Sequence, residues 1–301
     1  GYEGRLMRAL KSLLGSRLIE GQTEVNGRVL HFRELLAQFI ADLKRRVETQ
    51  AERPFEQVVL GRPVHFVDDD AAADRLAEET LASIARDVGF REVSFQFEPI
   101  AAAFDYETRI TREELVLVVD IGGGTSDFSL VRLSPERARK SERQHDILAN
   151  GGVHVGGTDF DRLFSLASVM PLLGYRGQLH SGREMPSSIF FNLATWHTIN
   201  SAYTRQSLTE QRRLANEAAC AQRAARLMTL LETRAGHWLA NEVEQAKIAL
   251  SAQAAVKLGL DRLEAGLEVE LERAAFDEAS ASLIARIETT VLAAALAALP
   301  R

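Results

Sequence analysis

The chain has 301 residues, 46% hydrophobic and 26% charged, which is ordinary globular usage in a chain long enough for two cores. A formal net charge of −6, with arginines spread along the chain, argues against a general nucleic-acid binder or a polybasic membrane surface. The single cysteine, Cys220, excludes an intrachain disulfide and fits a reducing, cytoplasmic setting; it reads as a small residue on an Ala-rich helix rather than a catalytic thiol.

The N-terminal GYEGRLMRAL has neither a signal-peptide core nor a cleavage site. Leu30 to Val47 carries Leu35, Leu36, Phe39, Ile40, Leu43 and Val47 at i, i+3, i+4 spacing, which predicts an amphipathic helix. Gln57 to Leu60 reads as a short strand, broken by Gly61-Arg62-Pro63. Asp68-Asp69-Asp70 then precede a helical run to about Val88. Three acids there complement the helix dipole, a metal site being the lesser reading. Gly89 is placed to close that helix. Val93 to Phe97 alternates as a strand, and Glu98-Pro99 opens a short Ala-rich helix reaching Tyr106.

Residues 115–133, LVLVVDIGGGTSDFSLVRL, are the most informative stretch. Leu115 to Val119 is a continuous apolar run, as expected of a strand buried on both faces. From Phe128 the pattern alternates, suiting a strand with one solvated face. Between them Gly122-Gly123-Gly124 removes every Cβ, so backbone N–H groups can approach an anion closely. Thr125 adds a hydroxyl and Asp120 a carboxylate at the strand end. A phosphate cradle beside an acid that can hold a hydrated metal is what phosphoryl chemistry uses. The plainer reading is a glycine-rich hairpin, although three glycines exceed what a tight turn needs.

After a charged excursion from Pro135 to Arg143 come the loop Asn150-Gly151-Gly152 and the segment His154-Val155-Gly156-Gly157-Thr158-Asp159. Beyond Phe160 the chain reads as mainly helical, with an irregular interruption from Leu173 to Ser188. Helical patterns over about Ser207 to Leu250, with room for breaks, and Arg273 to Leu299 flank an alternating stretch, Ala254 to Leu271, that reads as strands. The longest apolar run, Val291 to Leu299, falls well short of the ~18–20 residues of a membrane span. No repeat of solenoid period is present. Both ends look abrupt, so a fragment is expected.

Five motifs in register carry a resemblance: Val58 to Phe66, Phe97-Glu98-Pro99-Ile100-Ala101-Ala102-Ala103, Asp120 to Thr125, Gly156-Gly157-Thr158-Asp159-Phe160-Asp161, and Glu244 to Ser251. The series resembles the nucleotide-binding domain of the DnaK-type heat shock protein 70 chaperone family, in its divergent YegD-like form that shares Met170-Pro171-Leu172-Leu173-Gly174. It is weakest between about Leu173 and Ala235. The resemblance implies an α/β, two-lobed actin-like ATPase (ribonuclease H-like) fold. It assigns residues 1–114 to lobe I, with 58–114 in its core, and 115–301 to lobe II, with 158–270 as an outer, mainly helical part.

The resemblance also assigns roles. Gly122, Gly123, Gly124 and Thr125 match the second phosphate loop; Asp120 matches the carboxylate that orients metal-bound water. Asp127 matches a further acid of the ion shell, and equally suits a solvated strand position. Glu98 matches the acid near the attacking water, or a helix N-terminal carboxylate. Gly156 and Gly157 match the loop that approaches the nucleotide, while Glu244, Lys247 and Ser251 match a helix face that meets ribose and adenine. An isolated E-x-x-K is otherwise an intrahelical ion pair. Lys11, in Ala9 to Arg17, resembles a lysine that reaches the γ-phosphate; otherwise it is one exposed lysine among many.

The family's first phosphate hairpin and its glycine-rich adenine loop are not in this sequence, nor is a β-sandwich domain. The expected function is therefore that of an ATP/ADP- and Mg²⁺-binding domain with slow hydrolysis coupled to lobe closure, carried here by a fragment expected to be inactive and to bind nucleotide weakly. Clients and co-chaperones are the expected partners of the complete protein, with no nucleic acid or membrane. The alternatives are an actin-like filament protein and a nucleotide-binding scaffold without turnover; a superfamily sugar or acyl kinase fits less well.

Overall fold

The computed structural model describes residues 7–25, 28–140 and 143–298. Tertiary contacts divide the chain into a unit formed by residues 1–157 with 285–301 and a second formed by 158–284.

The first unit opens with two short 3₁₀ turns, Leu10–Leu13 and Arg17–Glu20. An antiparallel pair follows, β1 (Gln22–Val25) and β2 (Arg28–His31). These two strands are not among the predicted elements, although Asn26-Gly27 between two β-branched stretches is a strong turn signal in the sequence. Helix α1 (Phe32–Ala51) buries Phe32, Leu36 and Ile40, whereas Phe39, Leu43 and Val47, read as part of the same stripe, are exposed.

Strand β3 (Gln57–Arg62), helix α2 (Ala71–Asp87) and strand β4 (Glu92–Phe97) form a βαβ unit. The two strands are parallel, and α2 packs Ala77, Leu81, Ile84 and Ala85 into a core with Leu13, Leu14 and Phe66. β3 runs through Gly61 and Arg62, which the sequence had marked as a break. Gly61 is tolerated there because a Cβ would meet the Glu98 carboxylate at 2.9 Å. Asp70 caps α2, accepting from Ala72 and Ala73 N–H at 3.1 and 3.0 Å, and Gly89 closes it at φ +102° as expected.

Helix α3 (Glu98–Glu107) leads to a three-stranded antiparallel sheet of β5 (Glu114–Ile121), β6 (Ser126–Leu133) and β7 (Ile147–Val153), in the order β5-β6-β7. The burial expected of β5 and β6 is reversed. β6 is the central strand and is buried on both faces, Phe128 and Val131 completely. β5 is an edge strand. Its Val116 and Val118 pack beneath α3 with Ile100 and Ala103, while Leu115, Leu117, Val119 and Ile121 are 42–62% exposed. Position in the sheet, which a one-dimensional pattern does not encode, decides burial here. Asn150-Gly151-Gly152 is likewise strand, not loop.

At the sheet's far end a buried ion cluster pins the Arg137–Asp146 segment. Arg143 donates to both oxygens of Glu107 at 2.6 and 2.8 Å and to Asp146 at 2.8 Å, and Arg137 reaches Asp146 at 2.5 Å.

The second unit is mainly helical, as expected. It contains most of α4 (Gly157–Phe164), then α5 (Ser188–Ala194), α6 (Arg205–Glu217), α7 (Ala221–Glu232) and α8 (Gly236–Leu250). The long helical pattern from Ser207 thus breaks at Ala218–Cys220 and Thr233–Ala235. An antiparallel hairpin, β8 (Ala255–Gly259) and β9 (Glu268–Glu272), fills the stretch read as strands. Its core gathers Phe164, Met170, Phe190, Leu227, Leu239, Val243 and Leu271.

The last helix, α9 (Arg273–Ala297), begins in this unit, and its residues from 285 belong to the first. There it lies against β7: a Cβ at Gly151 would touch Ala294 at 3.0 Å and Thr290 at 3.5 Å, so glycine sets that approach. By length and composition α9 could cross a membrane, an 18-residue window having mean hydropathy 1.4. The apolar-run reading missed this because Arg286 and Glu288 interrupt the run.

Candidate functional site

The first unit brings Lys11, Glu98, Asp120, Asp127 and the glycine turn into one neighbourhood. Glu98 is the first residue of α3, so its carboxylate faces the unpaired N–H end of that helix. Lys11, in the first 3₁₀ turn, forms an ion pair with Glu98 and lies 3.4 Å from the Gly61 carbonyl. Asp120 and Asp127 are direct cross-strand partners on β5 and β6, on the sheet face that α3 covers. Burial raises the Asp120 carboxyl, the Glu98 charge raises it further, and Lys11 works against both.

Asp127 is 1% exposed, and desolvation pushes its carboxyl up to about 6, with the charges of Glu98 and Asp120 adding to the rise. Hydrogen bonds from Val64 N–H, at 2.6 Å, and from the Thr125 side chain oppose it. Three carboxylates thus face one lysine, which is a shortage of positive charge that a hydrated divalent cation would relieve. Among the described residues no three carboxylate, imidazole or thiol groups converge closely enough to ligate one ion directly. A magnesium ion held beside these carboxylates would therefore keep its waters.

The glycine turn is built for close approach, but much of that approach is protein on protein. Gly122 N–H closes the turn onto Thr125 O at 2.8 Å, and Gly157 N–H donates to Gly122 O at 2.9 Å. A Cβ at Gly156 would lie 2.4–2.6 Å from the Gly123–Gly124 backbone, so the two glycine segments stack directly. Ser126 Oγ donates to Val155 O at 2.7 Å and ties the base of the same contact. A Cβ at Gly124 would meet Ser12 at 2.7 Å, so the turn bearing Lys11 lies across that side. Gly122 and Gly123 are exposed, with only ordinary contacts beside them. The Thr125 hydroxyl is engaged with Asp127.

The remaining predicted residues lie in the second unit. Glu244 and Lys247 are on α8, and Ser251 is its exposed C-cap. Lys247 forms an ion pair at 2.7 Å with Asp161 on α4. Asp161, within the Gly156-Gly157 motif, has no role among the predicted site residues; its place four residues after Gly157 is the signal the sequence offers. A groove of about 870 Å³ in the first unit, lined by Arg62, His65, Asp68, Phe97, Gly152 and Arg286, holds none of the predicted residues. Arg62 is consumed there, paired with Asp74 and Glu78 and stacked near Phe66 and Phe97.

Comparison with known proteins bears on this arrangement. The Hsp70 protein family matches residues 14–167, slightly more than half of the chain. Chaperone protein HscA homologs are similar to about half of the chain or slightly less. That of Aliivibrio salmonicida is 32% identical over 133 residues, covering 44% of this chain and 19% of the relative. That of Pseudomonas paraeruginosa is 32% identical over 152 residues, covering 50% and 22%, and that of Pseudoalteromonas atlantica 31% over 140, covering 46% and 20%. The chain thus spans about a fifth of the length of the curated relatives it matches. The residues matched include β3, α3, the glycine turn and the Gly156-Gly157 loop, and on that match the chain belongs to the Hsp70 protein family.

Proposed function

We propose that the chain is part of a nucleotide-binding domain of actin-like ATPase fold, in a chaperone-type protein that binds ATP with Mg²⁺ and hydrolyses it slowly. The observation that carries this reading is the Glu98–Lys11 pair set beside Asp120 and Asp127 at the glycine turn, in a chain of this family. The lobe division at residue 114 and the residue roles below are parts of the same proposal.

Asp120 and Asp127 would hold the hydrated ion, which when bound offsets the charge of the phosphates. Glu98, anchored by its helix and by Lys11, orients a water for in-line attack. The Lys11 ammonium meets the charge that spreads over the transferring phosphoryl oxygens. Gly122 and Gly123 let the backbone approach the phosphates without a Cβ in the way. On α8, Glu244, Lys247 and Ser251 supply the polar face for ribose and base. Such a site works by positioning and electrostatics, with no covalent intermediate. Coupling of turnover to lobe closure, and through it to clients or co-chaperones, extends the proposal to the whole protein.

Single-turnover phosphate release from ATP by the full-length protein tests it. Lys11→Ala and Glu98→Ala should each slow release by about 10²-fold or more, the usual worth of one positioned electrostatic or acid–base group. Release at the wild-type rate in both variants would reduce the reading to a scaffold that binds without turnover.

A further inference from the structure

Asp68, Asp69 and Asp70 read alike in the sequence, as acids at the start of α2, but of the three it is Asp70 that caps the helix. Asp68 turns the other way. Both of its carboxylate oxygens accept from the His154 N–H, at 2.8 and 2.9 Å, and Oδ2 also takes Arg286 of α9 at 3.2 Å. Two further ties hold the same stretch of chain along the end of β7. Val64 N–H donates to Asp127 at 2.6 Å, and His154 Nδ1 lies 3.2 Å from Phe66 O. Gly152 permits this approach, since a Cβ there would come within 2.9 Å of the Asp127 carboxylate and 3.1 Å of Val64. One short segment, Val64 to Asp68, thus touches both the most buried acid of the candidate site and the start of the loop that stacks on the glycine turn.

We propose that Asp68 is a positioning residue for the phosphate end of the site: by holding the His154 N–H it fixes the loop from His154 to Gly157, and with it the glycine turn beside Asp127. The proposal rests on the nucleotide-binding reading. The path from Asp68 to the turn is short and stiff. Val155 is fully buried, its N–H closed on Val153 O at 2.8 Å and its carbonyl taken by Ser126 Oγ at 2.7 Å. Gly156 follows, so close to the Gly123–Gly124 backbone that a Cβ would lie 2.4–2.6 Å from it. Backbone against backbone leaves no side chain to absorb a shift, so a displaced His154 displaces the turn. A carboxylate binds a backbone N–H about twice as strongly as a neutral acceptor does, which suits Asp68 to this task. The Arg286 pair is half exposed and contributes little by itself.

The test compares ADP with adenosine, which lacks phosphate, as ligands of the full-length protein in titration calorimetry with Mg²⁺ present. Asp68→Ala should weaken ADP binding roughly tenfold, the usual cost of removing a group that supports such a site, and leave adenosine binding unchanged. Asp68→Asn keeps an oxygen for the His154 N–H and should recover most of the ADP affinity. Asp68→Glu keeps the charge but moves the acceptor by one methylene, and should lose nearly as much as Asp68→Ala. Arg286→Ala removes the ion pair, spares the bond to His154, and should bind ADP as the wild type does. ADP affinity in Asp68→Ala within about twofold of wild type would overturn the proposal. So would an equal loss for adenosine, which marks a merely structural role, or no recovery in Asp68→Asn. A loss in Arg286→Ala as large as in Asp68→Ala would overturn it too, by assigning the effect to the ion pair. Failure of the wild-type protein to bind ADP at all would instead overturn the nucleotide-binding reading beneath it.

Discussion

Gly156→Ala is the sharpest test of how the glycine turn is assembled. The added Cβ would sit 2.4 Å from Gly124 N, 2.5 Å from Gly123 C and 2.6 Å from Gly124 Cα. All three are backbone atoms, so no side chain can rotate aside. Reaching ordinary van der Waals distance requires the two segments to part by about 1 Å. That separation breaks the Gly157 N–H to Gly122 O bond of 2.9 Å and strains the Ser126 Oγ to Val155 O bond of 2.7 Å. Two bonds at about 1 kcal/mol each, one of them buried, with lost packing, give a destabilisation of about 2–4 kcal/mol. The entropy that alanine removes from the unfolded chain offsets only about 0.4–1 kcal/mol of this. Gly122→Ala is the matched control. Its Cβ would meet only Thr125 O, at 3.5 Å, and its φ is not positive, so the change should stay within about 0.5 kcal/mol. Urea unfolding of the chain reads both. A Gly156→Ala protein as stable as Gly122→Ala would refute the direct stacking of the two segments.

Other consequences can be measured in the same way. Asp127 holds its proton more tightly folded than unfolded, since its carboxyl is raised from 3.8 to about 6. Its contribution to stability is therefore fully present below about pH 4 and is lost as pH rises from there through 6. The size is at most about 3 kcal/mol. Asp127→Asn keeps an acceptor for Val64 N–H and should flatten that part of the pH profile. Identical slopes for the two proteins between pH 4.5 and 7 would refute the shift. Arg143→Ala leaves Glu107 and Asp146 buried without their shared cation and should cost about 3–5 kcal/mol in urea unfolding. A loss under about 1 kcal/mol would mean that the cluster is solvated. Leu117→Lys, on the bare face of β5, should change stability by less than about 0.5 kcal/mol, whereas Phe128→Ala on β6 should cost about 3–5 kcal/mol. Equal costs would contradict the reversed burial of the two strands.

The contrast between β5 and β6 shows what was legible in the sequence and what was not. Element positions came through well where the signal is local. Asp70 as N-cap, Gly89 as C-terminal glycine, Pro99 at the helix start and the turn at Gly122 each act within a few residues. Burial did not come through, because it depends on neighbours far away in sequence. The apolar run Leu115–Val119 forms the edge of the sheet, and the alternating SDFSLVRL forms its centre. Gly151 and Gly152 looked like a loop for the same reason. Their lack of a side chain serves the approach of α9 and of Asp127, not a turn.

The candidate site divides along the same line. The residue types and their order were readable, and the fold gathers Glu98, Asp120, Asp127 and Lys11 around one turn. How each group is already committed was not readable. Thr125 serves Asp127, Gly122 N–H closes its own turn, Ser12 lies against Gly124, and Lys247 is held by Asp161. Each commitment is a tertiary contact between segments that no spacing rule relates. They matter for function in opposite senses. A lysine held by a fixed carboxylate is organised in advance, which favours binding. A glycine amide used inside its own turn is withdrawn from any anion, so Gly122 contributes space and not a donor. On the proposed reading, phosphate recognition at this turn would draw on charge, from Lys11 and a hydrated cation beside Asp120 and Asp127, more than on the ring of backbone amides that the three glycines first suggest.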